Sequence, residues 1–149
     1  MSKPDPTRNN FILYADDDPD DLQLLKESFQ QYANRVDLVI FCDGIQILSF
    51  LQNLSSNEQL PCLIILDVNM PRLGGKEVLK KLRENTRFDN VPVILFTTSS
   101  FEGDKNFASI YNAGFLTKPI DMRQMEINID QFIDHCSEEI RKIIRRELQ

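Results

Sequence analysis

Five short apolar runs, separated by segments of helical spacing, constrain this chain more than any other feature. Phe11–Ala15, Val36–Phe41, Cys62–Leu66, Val91–Phe96 and Phe115–Thr117 are nearly unbroken in apolar character. That is the pattern of strands buried on both faces, not of alternating strands with one wet face. Between them apolar residues recur every three or four positions: Leu22, Leu25, Phe29 and Tyr32 after Pro19, then Ile47, Leu48, Leu51 and Leu54, then Val78, Leu79 and Leu82. A weaker helix is expected over Phe101–Ala113 and a final one from Asp121 to about Asp134. Strand and helix in strict alternation predict a doubly wound α/β domain with a five-stranded parallel sheet, (βα)5, because right-handed crossovers place helices on both faces.

The ends of these runs carry the chemistry. Phe11–Ala15 runs into Asp16-Asp17-Asp18, Leu63–Leu66 runs into Asp67, and Phe115–Thr117 runs into Lys118-Pro119. The carboxyl ends of parallel strands share one edge, where ligands bind in such sheets. At least one of Asp16 and Asp17 is therefore expected to point into the crevice beside Asp67, and carboxylates at close range repel unless a cation bridges them. An oxygen-only set of this kind suits Mg2+. Lys118 adds an ammonium for a phosphoryl oxygen, and Thr97, ending the fourth run, adds a hydroxyl. Asp18 reads as a helix N-cap, Pro19 as the first helical residue, and Asp20 and Asp21 as complements to the helix dipole, so these acids are expected to serve the helix start. A carboxylate in such a setting can itself be the nucleophile and form an aspartyl phosphate. No GxxxxGK[ST] or GxGxxG pattern occurs, so the phosphoryl donor must come from elsewhere.

Composition narrows the classes. A length of 149 residues suits one domain, and a net charge of -6 argues against direct binding to nucleic acid. No apolar stretch approaches a membrane span, so a soluble, cytoplasmic chain is expected. The cysteines at 42, 62 and 136 lack CxxC spacing, and Cys42 and Cys62 read as buried thiols in apolar surroundings.

Taken together, Ile12–Asp18, Leu66–Pro71 with Gly75, Pro92–Thr97, Phe115 and Lys118-Pro119 resemble the response regulator receiver domain of two-component signalling, over roughly Phe11 to Asp134. The resemblance implies a flavodoxin-like fold and an Asp67 phosphoacceptor, loaded from a phosphohistidine on a sensor histidine kinase or a histidine phosphotransfer protein. It implies that Asp17, Asp67 and the Asn69 backbone carbonyl ligate Mg2+, with Asp16 assisting through water, and that Thr97 and Lys118 contact the phosphoryl group. It further implies a switch in which Thr97 moves and Phe115 rotates inward, with a protein target as output. Asn69 and Ser99 fall at positions that tune hydrolysis in receivers, and a cis Lys118–Pro119 bond is expected. Such a module catalyses only its own phosphotransfer and dephosphorylation. Two alternatives stay open: an adaptor that binds partners without phosphorylation, and a phosphatase with an Asp nucleophile after the first strand.

Residues 1–10 read as a flexible N-terminal segment, 11–134 as the receiver, and 135–149 as a C-terminal helical extension of a stand-alone, single-domain regulator. In that extension Ile133, Cys136, Ile140, Ile143 and Ile144 continue the apolar stripe of the fifth helix, predicting one long helix. It either packs back on its own domain or docks a partner. A homodimer could form through it or through the face of the fourth and fifth helices. His135 is expected to have no catalytic role.

Overall fold

The computed structural model describes residues 10–118 and 121–145. A parallel sheet runs in the order β2-β1-β3-β4-β5, formed by β1 (Asn10–Ala15), β2 (Val36–Phe41), β3 (Leu63–Leu66), β4 (Val93–Thr97) and β5 (Gly114–Thr117). Helices α1 (Pro19–Phe29), α2 (Gly44–Gln52), α3 (Gly75–Arg83), α4 (Glu102–Ile110) and α5 (Met122–Asp134) alternate with the strands, and α6 (Glu138–Arg145) follows. The order makes β3 central, flanked by β1 and β4, and the register sets Ala15 beside both Phe41 and Leu66.

Side chains alternate across each strand, so every strand feeds two cores. Phe11, Leu13, Ile64, Leu66 and Leu95 meet α2, α3 and α4 on one face. Ile12, Tyr14, Ile65, Ile94 and Phe96 meet α1 and α5 on the other, with Ile144 of α6 added there. That double burial explains why the runs carry almost no polar residue.

Helix starts follow local capping. Asp18 accepts the N–H groups of Asp20 and Asp21 at 2.9 and 3.4 Å. Asp43 caps α2 through Gln46 at 2.8 Å, and Asp121 caps α5 through Gln124 at 2.9 Å. Each offers a carboxylate to otherwise orphaned donors. The turn ending α4 takes Asn112 to φ 55°, a left-handed conformation that asparagine tolerates. This stops α4 at Ile110, three residues before the boundary the periodicity suggests.

Two expectations need correction. Cys42 is exposed, whereas Cys62 is buried; β2 ends at Phe41, so Cys42 already belongs to the turn into α2. The C-terminal helix is present but does not prolong α5. Arg141 Nη1 donates to the carbonyls of Asp134 and Cys136 at 3.2 and 2.9 Å, and Ser137 Oγ accepts the Ile140 N–H at 3.3 Å. These bonds satisfy the end of one helix and start the next. The chain reverses, and Ile144 is buried at 1 % exposure. A straight extension would leave the same stripe in water, so packing back removes apolar surface that elongation would expose. The Lys118–Pro119 peptide lies outside the described residues. Among the described residues no helix is long and apolar enough to cross a membrane.

Candidate phosphoacceptor and cation site

The site hangs on the last rungs of the sheet. The Asp16 N–H donates to Phe41 O at 3.1 Å, the Asp67 N–H to Ala15 O at 3.0 Å, and the Lys118 N–H to Thr97 O at 2.8 Å. Each functional residue is therefore one step past a strand end yet still fixed by ladder pairing. Gly75 packs behind Asp67: a Cβ there would stand 2.2 Å from the Asp67 carbonyl oxygen. Only a residue without that atom allows α3 to start so close to the site.

Strand parity decides where each acid points. Asp16 follows Ile12 and Tyr14 on the α1–α5 side, and it is fully buried. Asp17 has the other parity and is exposed. Asp67 is buried. Oxygens of Asp16, Asp17 and Asp67 lie within 4.8 Å of one another, a hard donor set that fits a divalent cation.

Lys118 Nζ sits among carboxylates, 2.8 Å from Asp16 Oδ2, 2.9 Å from Asp21 Oδ2 and 3.1 Å from Asp67 Oδ2. Burial alone would lower its pKa, but hydrogen bonds to Asp16 and Asp21 and the charges of Asp16 and Asp67 raise it above the ordinary value. Asp67 is pushed up to about 6, first by burial and then by the charge of Asp16, against the opposing pull of Lys118. The Asn69 N–H donates to Asp67 Oδ1 at 3.3 Å. Thr97 is fully buried, and its Oγ1 accepts the Ser99 N–H at 3.2 Å. Phe115 is half-buried against the core under α3 and α4, across the register from Leu95.

Several residues here are not singled out by sequence reasoning. Asp21 reads in the sequence purely as a helix-start acid, yet it shares the Lys118 ammonium. The available signal is Pro19, which opens α1 so soon after β1 that its first turn borders the crevice. Asp104 joins Ser99 Oγ at 3.0 Å to Lys76 Nζ at 2.8 Å, linking the loop after Thr97 to α4 and α3. The Lys76 hydrogen bond holds the Asp104 carboxyl below its usual range. Tyr14 donates its hydroxyl to Asp16 Oδ2 at 2.5 Å; its place two residues before Asp16 on one strand face is the signal.

Residues 12–130 match the family model of the response regulator receiver domain. Response regulator Rcp1 of Synechocystis sp. is 35% identical over 95 residues, covering 62% of this chain and 65% of that protein. Response regulator Rre1 of Synechocystis sp. is 32% identical over 123 residues, covering 77% of this chain and 48% of that protein. The chain thus spans less than two-thirds of the length of these relatives. The crystal structure of the Mn(2+)-bound form of Rcp1 superimposes with a TM-score of 0.73 at 29% identity, covering 83% of this chain and 93% of that one.

Proposed function

The chain belongs to the response regulator receiver family, and on that premise we propose that Asp67 accepts a phosphoryl group from a phosphohistidine on a sensor histidine kinase or phosphotransfer protein. Receivers of this family are signalling modules that take phosphoryl groups from histidine kinases. The observation that carries the reading is the arrangement at Asp67. A buried carboxylate stands beside two further acids and beside the Lys118 ammonium, which it shares with Asp16. In the transfer an Asp67 oxygen attacks phosphorus and the O–P bond forms as the P–N bond of the donor breaks. The leaving imidazole nitrogen keeps the electron pair and takes a proton from solvent.

Asp17, Asp67 and the Asn69 carbonyl would hold Mg2+, with Asp16 assisting through water. The ion when bound supplies positive charge for the phosphoryl oxygens. The structure of Mn(2+)-bound Rcp1 supports a divalent cation here. Lys118 and Thr97 then orient two phosphoryl oxygens, so that rate comes from positioning and electrostatics. Hydrolysis by water returns the Asp67 carboxylate and inorganic phosphate. Thr97 turns toward the bound group and Phe115 follows it inward, changing the surface of α4, β5 and α5 that a protein target reads. In this reading residues 11–134 form the receiver unit and 135–149 its extension.

Asp16 is a poor candidate for the nucleophile of a phosphatase, because an N–H, a phenol and an ammonium already occupy its oxygens. Incubation with Mg2+ and acetyl phosphate should add one phosphoryl group, read by intact mass. Asp67→Asn should take none; undiminished labelling of that variant would overturn the assignment.

A further inference from the structure

The carboxylate of Asp16 is almost saturated. Its Oδ1 accepts the Asp18 N–H at 3.0 Å, while Oδ2 accepts the Tyr14 hydroxyl at 2.5 Å and is ion-paired with Lys118 Nζ at 2.8 Å. A carboxylate oxygen offers about two lone-pair sites, so Oδ2 is filled and Oδ1 keeps a single one. Asp17, exposed and on the other face, carries no such load among the described residues.

Tyr14 is itself fixed. It is fully buried among Ile12, Ile65, Phe96 and Met125, and its ring tilts 54° on Phe96 at a centroid distance of 6.4 Å. A phenol sunk that deeply needs an acceptor, since a buried donor left unpaired loses its water without a replacement partner. Asp16 is the acceptor. The apolar core thereby sets the rotation of a carboxylate that stands in the site above it.

We propose that Tyr14 is a positioning residue, whose hydroxyl holds Asp16 Oδ2 against Lys118 and so keeps Asp16 as the anchor of the ammonium and out of direct metal ligation. This rests on the reading of Asp67 as phosphoacceptor. The three acids then have separate roles. Asp17 and Asp67 are left open to the cation, Asp16 reaches it only through the remaining Oδ1 site, and Lys118 is oriented toward the phosphoryl group. The same contact turns Tyr14 into a reporter. The chain has no tryptophan and three tyrosines. Tyr32 and Tyr111 follow the C-terminal ends of α1 and α4, at the sheet edge opposite the site.

The test uses the full chain and needs no kinase. Adding Mg2+ to the unphosphorylated protein should perturb its tyrosine near-UV absorption, and Tyr14→Phe should lose that perturbation while calorimetry still detects Mg2+ binding. With acetyl phosphate at saturating Mg2+, Tyr14→Phe should be labelled roughly tenfold more slowly than wild type. The double variant with Asp16→Asn should be no slower than Asp16→Asn alone, because the tyrosine acts only through Asp16. An unchanged rate in Tyr14→Phe, additive losses in the double variant, or a tyrosine signal that survives the substitution would each overturn the proposal. If Tyr14→Phe does not fold, the wild-type spectrum remains decisive: no tyrosine perturbation at saturating Mg2+ overturns it too. Failure of the phosphoacceptor reading looks different: Asp67→Asn would still be labelled, or the wild type itself would take no label, while the Mg2+ spectrum still tests the Tyr14–Asp16 contact.

Discussion

At Asp67 two effects oppose each other. Burial and the neighbouring charge of Asp16 favour the protonated acid, while Lys118 favours the carboxylate, and the first pair prevails to leave the group at about 6 against an ordinary 3.8. The folded chain thus binds this proton more tightly than the unfolded chain does. Its contribution to stability is complete below about 3.8 and is lost as pH rises through about 6. In metal-free buffer Asp67→Asn should therefore melt higher than wild type at pH 7, by roughly 3 °C, and gain nothing near pH 3.5. Thermal melts at the two pH values check this, and an equal gain at both would mean that charge is not the cause. Added Mg2+ should shrink the difference at pH 7, because it neutralises the same carboxylates. The place of Asp67 beside Asp16, Asp17 and Lys118 was legible from its position after an apolar run. The contacts of Tyr14 and Asp21 were not, because a buried tyrosine reads as core and an acid after a helix proline reads as a cap. Only the folded strand edge brings Asp21 to Lys118 and the Tyr14 hydroxyl to Asp16.

Elements carry the site by close approach and by docking. α3 begins directly behind Asp67, and a methyl group on Gly75 would lie 2.2 Å from the Asp67 carbonyl oxygen and 3.2 Å from the Leu66 side chain. Gly75→Ala must push the β3–α3 connection away, at about 2 kcal/mol of stability, with slower phosphorylation because Asp67 moves with it. A denaturation midpoint and an acetyl phosphate time course read both effects; an unchanged time course would show the loop absorbs the methyl without disturbing Asp67. At the other end, α6 rests on Ile144. Ile144→Ala should cost about 2–4 kcal/mol if the helix stays docked in solution as it is here, and a loss near zero would mean that α6 spends its time undocked. The apolar stripe of residues 133–144 was legible in the sequence. Its partner was not, since the same stripe serves a straight helix seeking another molecule or a short one folded back. The choice turns on Ser137 and on the two carbonyls taken by Arg141.

For the whole molecule, alternation of five apolar runs with helical segments was enough to fix the layers and to bring β1, β3 and β5 ends to one edge. Boundaries drifted where loop residues pair locally. Cys62 stands just before β3 because its N–H bonds Phe11 O without joining the strand proper, and α4 stops early at the left-handed Asn112. The net charge of -6 gathers partly in a crevice where one ammonium faces three carboxylates. Such a balance is poised for an incoming phosphoryl group and a cation to change together. The most direct test is to find where the phosphoryl group goes. After reaction with acetyl phosphate and Mg2+, borohydride reduction and peptide mass spectrometry should mark position 67 alone. A mark at Asp16 or Asp17 instead, or none at all in folded protein, would contradict the assignment of Asp67 as acceptor.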